Sequence, residues 1–449
     1  MRDSQDVVPA EQVLINMSVL RVIGGSPLRG SVEVPGSKNA ALAILSAVLL
    51  AKGPIVLTNV PRIRDIDIKL RLLQKFGAVV RWDEGSLHID ASNLTGCEAD
   101  EESVRPIRTS FYLIGPLLAR LGKARLPAPG GCNIGARPVD YHMKGLALMG
   151  ATVDLDSGKY IADVEKLVGA EIYLDFPSAG ATQHLMATAC LANGITTIQN
   201  AAIEPEVTTL AAFLKRLGAR ITGDGTQTIT IEGVEELHGG SFRVPEDRIQ
   251  AATYLMAGAI TMGDVTTQGI LPETQTALIN KLREAGADCE EGTDWVRVSA
   301  KNRLRGIRVK TMPYPGFPTD MQQPMSSVLA LADGVSVIEE TIYEARVGHV
   351  SQLNRMGAKI RIEGKSILID GTDHLQGAIV EASDLRAGAA LVLAGLAAEG
   401  ETIIKNVHLI DRGYENLENT LNGLGGNIMR IPLAEWEAAH NHAAEPRLH

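Results

Sequence analysis

One thiol in this chain sits where a thiol could react. Cys132 lies within Pro127-Ala128-Pro129-Gly130-Gly131-Cys132-Asn133-Ile134-Gly135-Ala136-Arg137-Pro138-Val139-Asp140, a stretch flanked by prolines and rich in glycine. That composition marks a surface loop of special geometry, so the thiol is expected to be exposed. Arg137, five residues on, would favour the thiolate, the nucleophilic form. An incidental loop cysteine is the competing reading. Cys97, Cys190 and Cys289 have no comparable setting, and Cys190 stands in an apolar helical run that reads as core.

A second group of residues could bind anions. Lys38 and Asn39 open an apolar helical run directly after Pro35-Gly36-Ser37. Free amides and a partial positive charge at a helix start suit phosphate, and Lys38 would add a full charge. Taken alone, the segment also fits a solvated lysine beside a cap. Charges recur at later helix starts: Arg105 and Arg108, Arg248, Asp320 after Phe317-Pro318-Thr319, then Asp384 and Arg386. Ile410-Asp411-Arg412-Gly413-Tyr414-Glu415 adds a further arginine. An aspartate at a helix start is ordinarily only a cap. If these positions converge, the cations would hold an anionic substrate through charge-assisted bonds.

Convergence requires a framework that stacks equivalent positions, and the chain has one. Runs such as Leu73-Gln74-Lys75-Phe76-Gly77-Ala78 and Leu353-Asn354-Arg355-Met356-Gly357-Ala358 recur six times, with their glycines at 77, 150, 218, 286, 357 and 425. The gaps are 73, 68, 68, 71 and 68 residues, which defines a module repeated six times. Each module reads as an apolar helix ending near a glycine (Gly53, Gly122, Gly194, Gly263, Gly334, Gly400), expected as a left-handed cap. A short strand, a second helix and two further strands follow. In the first copy the second helix carries Ile66, Leu70, Leu73 and Phe76 at helical spacing, and Val79 to Trp82 and Leu87 to Ile89 read as strands. The pattern predicts an α/β architecture with three modules in each of two domains.

Residues 38–244 are expected to form the first domain, and 17–37 with 245–432 the second. The chain would then cross between domains twice, the layout of a hinge. Residues 1–16 and 433–449 read as tails. His440 and His442 in the latter could bind a metal, although a disordered end is the simpler expectation. The formal charge of 43 − 53 = −10 argues against a general nucleic-acid or anionic-membrane surface. Four scattered cysteines without a CxxC pair argue against a zinc site or disulfide framework and fit a reducing cytoplasm. The longest apolar run, Ala40 to Ala51, is too short to span a bilayer, and no export signal is read at the start.

Four stretches occur in order: Pro35-Gly36-Ser37-Lys38-Asn39-Ala40-Ala41-Leu42, Pro129 through Asp140, Phe317-Pro318-Thr319-Asp320-Met321-Gln322, and Ile410 through Glu415. Together they resemble the enolpyruvyl transferases, from about Val19 to about Arg430. The resemblance implies an EPSP synthase-like fold, in which each of two domains is an inside-out α/β barrel of three repeats. It also implies transfer of the enolpyruvyl group of phosphoenolpyruvate to the 3′-hydroxyl of UDP-N-acetylglucosamine, with phosphate released by addition and elimination. That reaction is the first committed step of peptidoglycan synthesis, and it uses no cofactor or metal.

By the same resemblance Cys132 is the general acid, able also to form an adduct with phosphoenolpyruvate and to open the epoxide fosfomycin. Asp320 is the base near the sugar hydroxyl, and Lys38 and Arg412 belong to the catalytic set. Lys38, Arg137 and Arg412 are placed on phosphoenolpyruvate, with Arg108, Arg346 and Arg386 also around the anionic ligands. Asn39, the strip Arg137-Pro138-Val139-Asp140 and Ser178-Ala179-Gly180 fall on the nucleotide-sugar side, and Asp384 near the thiol. Gln250 stands where relatives commonly carry Glu, Val347-Gly348 where bulkier residues are usual, and Pro106-Ile107 before Arg108 is uncommon. Two alternatives therefore stay open: transfer to another nucleotide, such as UMP, and a non-catalytic paralogue that binds a nucleotide-sugar.

Overall fold

The computed structural model describes residues 18–130 and 139–441. The expected N-terminal tail of residues 1–16 therefore lies outside the described residues. Six buried helices form the interior: α1 (Lys38–Ala47), α2 (Ile114–Leu121), α3 (Ala179–Ala189), α4 (Arg248–Ile260), α5 (Gln322–Ala330) and α6 (Leu385–Ala397). Each opens one module. Every residue of α1 except Asn39 is buried, as is the whole of α4, because beyond their polar first turns these runs are mostly apolar on all sides. The second helix of the first module is amphipathic instead. In Arg64–Lys75, Ile66, Leu70 and Leu73 turn inward, and Phe76 caps it from below, also buried.

Among the described residues six small sheets cover the helices, so the helices are inside and the sheets outside. Five sheets have four strands among the described residues and that of the second module has three. Their strands alternate between buried and exposed positions, as Thr228–Glu232 shows, which fits one face on the helices and the other in water. Strand Leu237–Arg243, at the end of the third module, runs parallel to Ala51–Thr58 of the first and closes that barrel. The second barrel borrows from the start of the chain. Ser18–Ile23 inserts antiparallel between Glu401–Lys405 and Asn427–Pro432, and Arg29–Glu33 pairs in parallel with Asp264–Gln268.

Two large apolar cores result, one within residues 40–244 and one combining residues 20–34 with 249–428. The two chain segments that pass between them touch. Gly36 and Glu246 form a bridge, Ser37 N–H donates to Pro245 O at 2.7 Å, and Asp247 N–H to Pro35 O at 2.8 Å. A side chain at Gly36 would meet Asn59 O at 1.7 Å, so only glycine lets the crossing lie this close.

Two local expectations differ from the structure. The left-handed residue of the fourth module is Met262 (φ 50°), while Gly263 is needed for space, since a Cβ there would meet Leu28 O at 2.0 Å. The segment beyond Pro432 is not a patternless tail up to Asn441. Leu433–Asn441 is helical, and Trp436 is buried with Val19 and Ile403 while Lys405 Nζ lies 5.2 Å from its ring centre. No helix among the described residues is long and apolar enough to cross a membrane.

Candidate active site

The N-terminal ends of the inner helices carry the polar residues that the sequence singled out. Ser37 and Ser178 cap α1 and α3, each hydroxyl accepting an N–H of the first turn at 3.3 Å. Asp247 caps α4 through one carboxylate oxygen (Ile249 N–H 2.8 Å, Gln250 N–H 3.0 Å) and accepts Lys38 N–H through the other at 3.0 Å. One carboxylate thus ties the first turns of α1 and α4 across the domain crossing. Asp384 caps α6 (Arg386 N–H 2.9 Å, Ala387 N–H 3.1 Å) and accepts Gln323 Nε2 at 2.9 Å. Short 3₁₀ turns, Arg108–Leu113 and Thr319–Met321, precede α2 and α5.

Between the domains these ends enclose a cavity of about 550 Å³. Lys38, Asn39, Arg108, Ser178 and Gly180 line it from the first domain; Arg248, Asp320, Arg346 and Arg412 line it from the second. Arg386 and Asp384 stand behind its wall, the first reaching Asp320 and the second fixing the start of α6. Val139 is buried and Asp140 exposed at the start of helix Asp140–Leu148. Neither lines the cavity, whereas Tyr141 and His142 of the same helix do. Cys132, Arg137 and Pro138 lie outside the described residues.

Charge in the cavity is organised around three carboxylates. Asp65 takes Lys38 Nζ at 3.0 Å and Arg412 Nε at 2.8 Å. Asp320 takes Arg346 Nη1 at 2.7 Å and Arg386 Nη2 at 3.2 Å. Glu206 takes Arg248 in a two-pronged pair, 2.9 and 3.1 Å. Burial pushes the Asp65 carboxyl up, but Lys38 and Arg412 outweigh it and the net shift is downward. Burial likewise opposes ionisation of Asp320, yet Arg346 and Arg386 hold it well below the usual carboxylate range. About a quarter (26%) of the Asp320 side chain remains open to the cavity. Two of the three clusters span the domains: Arg412 reaches Asp65 and Pro106 O (3.1 Å), and Arg248 reaches Glu206.

Asp65 and Glu206 escaped the sequence reading. Asp65 looks like an ordinary acidic residue in a helix first turn, and its partner Arg412 lies 347 residues away. Two buried aromatic-flanked histidines, His142 and His184, were equally invisible. Among the departures, Gln250 is buried and accepts Tyr254 Oη at 3.1 Å, and Gly348 is needed because a Cβ would meet Ser383 Oγ at 2.4 Å. Among the described residues no group of three or more His, Cys, Asp or Glu could hold a metal ion.

The family profile for EPSP synthase (3-phosphoshikimate 1-carboxyvinyltransferase) matches residues 22–421. The UDP-N-acetylglucosamine 1-carboxyvinyltransferase of Clostridium botulinum is 47% identical over 417 residues, covering 92% of this chain and all (100%) of that protein. UDP-N-acetylglucosamine 1-carboxyvinyltransferase 2 of Carboxydothermus hydrogenoformans is 48% identical over 410 residues, covering 91% and 98%. The chain belongs to the UDP-N-acetylglucosamine 1-carboxyvinyltransferase family. Among solved structures, the enolpyruvyl transferase NikO from Streptomyces tendae superposes with TM-score 0.84 at 26% identity, covering 92% of this chain and 99% of that one. EPSP synthase from Acinetobacter baumannii shares the fold, with TM-score 0.72 at 20% identity over 92% of this chain and 100% of that one.

Proposed function

We propose that this protein transfers the enolpyruvyl group of phosphoenolpyruvate to the 3′-hydroxyl of UDP-N-acetylglucosamine, in the cytoplasm, without a nucleic-acid partner. The observation that carries the reading is the interdomain cavity: Lys38, Arg108, Arg248, Arg346 and Arg412 surround it, a concentration of cations suited to anionic, phosphorylated ligands. The identity of about 47% to relatives of that name supports the choice of acceptor.

In this reading Asp320 accepts the proton of the sugar hydroxyl as its oxygen attacks C2 of phosphoenolpyruvate. The methylene carbon, C3, takes a proton from a general acid, assigned by resemblance to Cys132. The resulting tetrahedral ketal then loses a proton from its new methyl group as the bond to the phosphate oxygen breaks, restoring the enol ether and releasing phosphate. Lys38 and Arg412 stabilise the departing anion. Both are paired with Asp65 before ligand binds, and each has further N–H donors to offer a ligand oxygen. Arg346 and Arg386 keep Asp320 ionised before substrate binds; anionic ligand drawing on the same guanidinium groups would raise its basicity when a base is needed.

Phosphate release from phosphoenolpyruvate should proceed with UDP-N-acetylglucosamine and not with UMP. Turnover with UMP alone would transfer the assignment to nucleotide modification; release with neither would favour the non-catalytic paralogue. Intact-mass analysis with fosfomycin should show a single adduct, mapped to Cys132. An adduct at Cys97, Cys190 or Cys289 would remove Cys132 from the proposed role.

A further inference from the structure

His142 in the cavity wall and His184 behind it form a pair that the reaction leaves unused. His142, on helix Asp140–Leu148, and His184, on α3, are both buried, and their Nδ1 atoms lie 2.9 Å apart. His184 Nε2 accepts the backbone N–H of Gly115 at 2.9 Å. That amide belongs to the first turn of α2. A side chain at position 115 would clash with Thr188 Oγ1 at 1.8 Å and with His184 Nε2 at 2.7 Å, so glycine permits the contact.

Hydrogen-bond direction then follows step by step. A backbone amide only donates, so His184 Nε2 carries a lone pair and the ring proton sits on Nδ1. That Nδ1–H donates to His142 Nδ1, which leaves the His142 proton on Nε2. A second proton on either ring would break one of the two bonds. Burial acts in the same sense, depressing His142 to about 3 and His184 well below its ordinary value. The rings are also clamped: Phe111 meets His142 edge-on at 5.3 Å, and Tyr112 stacks on it at 5.6 Å. His142 lines the cavity, and with Nδ1 engaged, Nε2–H is the polar atom its ring has left to offer.

We propose that His184 is a positioning residue that locks His142 as an uncharged Nε2–H donor, and that this donor selects an acceptor oxygen of the bound nucleotide-sugar. The inference rests on the proposed function for the identity of the ligand, but the lock itself does not. A fixed neutral donor favours a phosphoryl or carbonyl oxygen and disfavours any ligand that presents an N–H at the same place, because two donors would then face each other in a dry wall.

Imidazole ¹⁵N spectra of the full-length protein test the lock and the contact separately. Without ligand, His184 should read as the Nδ1–H tautomer and His142 as Nε2–H. UDP-N-acetylglucosamine should shift the His142 Nε2–H resonance, and phosphoenolpyruvate alone should not. A shift already present with uridine would identify a base carbonyl; one that needs UDP would identify a phosphoryl oxygen. In steady-state assays His184→Leu should raise KM for UDP-N-acetylglucosamine about tenfold with kcat nearly unchanged, the worth of roughly one hydrogen bond. His184→Asn, which can still donate at the Nδ1 position, should restore most of it. The opposite tautomers, or equal KM values in wild type, His184→Leu and His184→Asn, would overturn the lock. A His142 resonance unmoved while calorimetry shows nucleotide-sugar binding would overturn the contact. If the wild type binds no UDP-N-acetylglucosamine at all, the proposed function fails and the ligand half of this inference fails with it, whereas the tautomers still decide the lock.

Discussion

At the scale of single residues, Asp320 is pulled two ways, since the arginines that keep it ionised also make it a poor proton acceptor until substrate arrives. Asp320→Ala should lower kcat by roughly 10²-fold or more while nucleotide-sugar affinity measured by calorimetry persists. Normal turnover would leave Asp320 as part of a charge network only. Asp65 offers a cleaner test of linkage, being almost wholly buried (3%) between Lys38 and Arg412. Its folded pKa lies below the usual 3.8, so its contribution to stability is complete above that value and is lost as pH falls through the folded one. Asp65→Asn should therefore destabilise the protein by about 3 kcal/mol near neutrality, with the gap to wild type narrowing below pH 4 or so. A gap that stays constant down to acid unfolding would refute the assignment. Residue chemistry was legible in the sequence where local context signalled it, as at Lys38 behind Pro35-Gly36-Ser37. It was silent where a residue acquires its role from partners hundreds of positions away, as Asp65 does from Arg412.

At the scale of elements, the repeat was readable because each module must bury one helix completely and another by one face, and both demands leave periodic marks. The repeated glycines at 77 and 150 have φ of 99° and 91°, which is why that position could serve as a ruler. Less legible was where a sheet takes its missing strand. Nothing local in Ser18–Ile23 announces that it will lie between Glu401–Lys405 and Asn427–Pro432, because alternation specifies a face and not a partner. Asp247 is the element-scale feature most open to experiment, since its two oxygens serve the starts of two helices in different domains. Asp247→Ala should cost about 2 kcal/mol or more in urea unfolding, beyond an ordinary single cap. Asp247→Asn should recover part of that, keeping one acceptor. A loss below about 0.5 kcal/mol for the alanine variant would show that water replaces the cap freely.

At the scale of the whole molecule, two crossings and two ion-pair clusters hold the barrels face to face around the cavity. Arg248 and Glu206 form the cluster that no anion of phosphoenolpyruvate is assigned to displace, so it serves as a latch. Glu206→Gln should enlarge the ligand-free scattering radius, and UDP-N-acetylglucosamine should shrink it back, because ligand bound by both domains favours the compact state. An unchanged radius in the variant would assign closure to the crossings alone. The borrowed strand has a further consequence during synthesis. Ser18–Ile23 leaves the ribosome long before its sheet neighbours Glu401–Lys405 and Asn427–Pro432 are translated. The intervening barrel, contiguous from Lys38 to Val244, has every strand it needs long before then. Nascent chains stalled beyond residue 290 should thus show a protease-resistant first barrel carrying an unpaired, apolar leader, which a chaperone would find before its own sheet does.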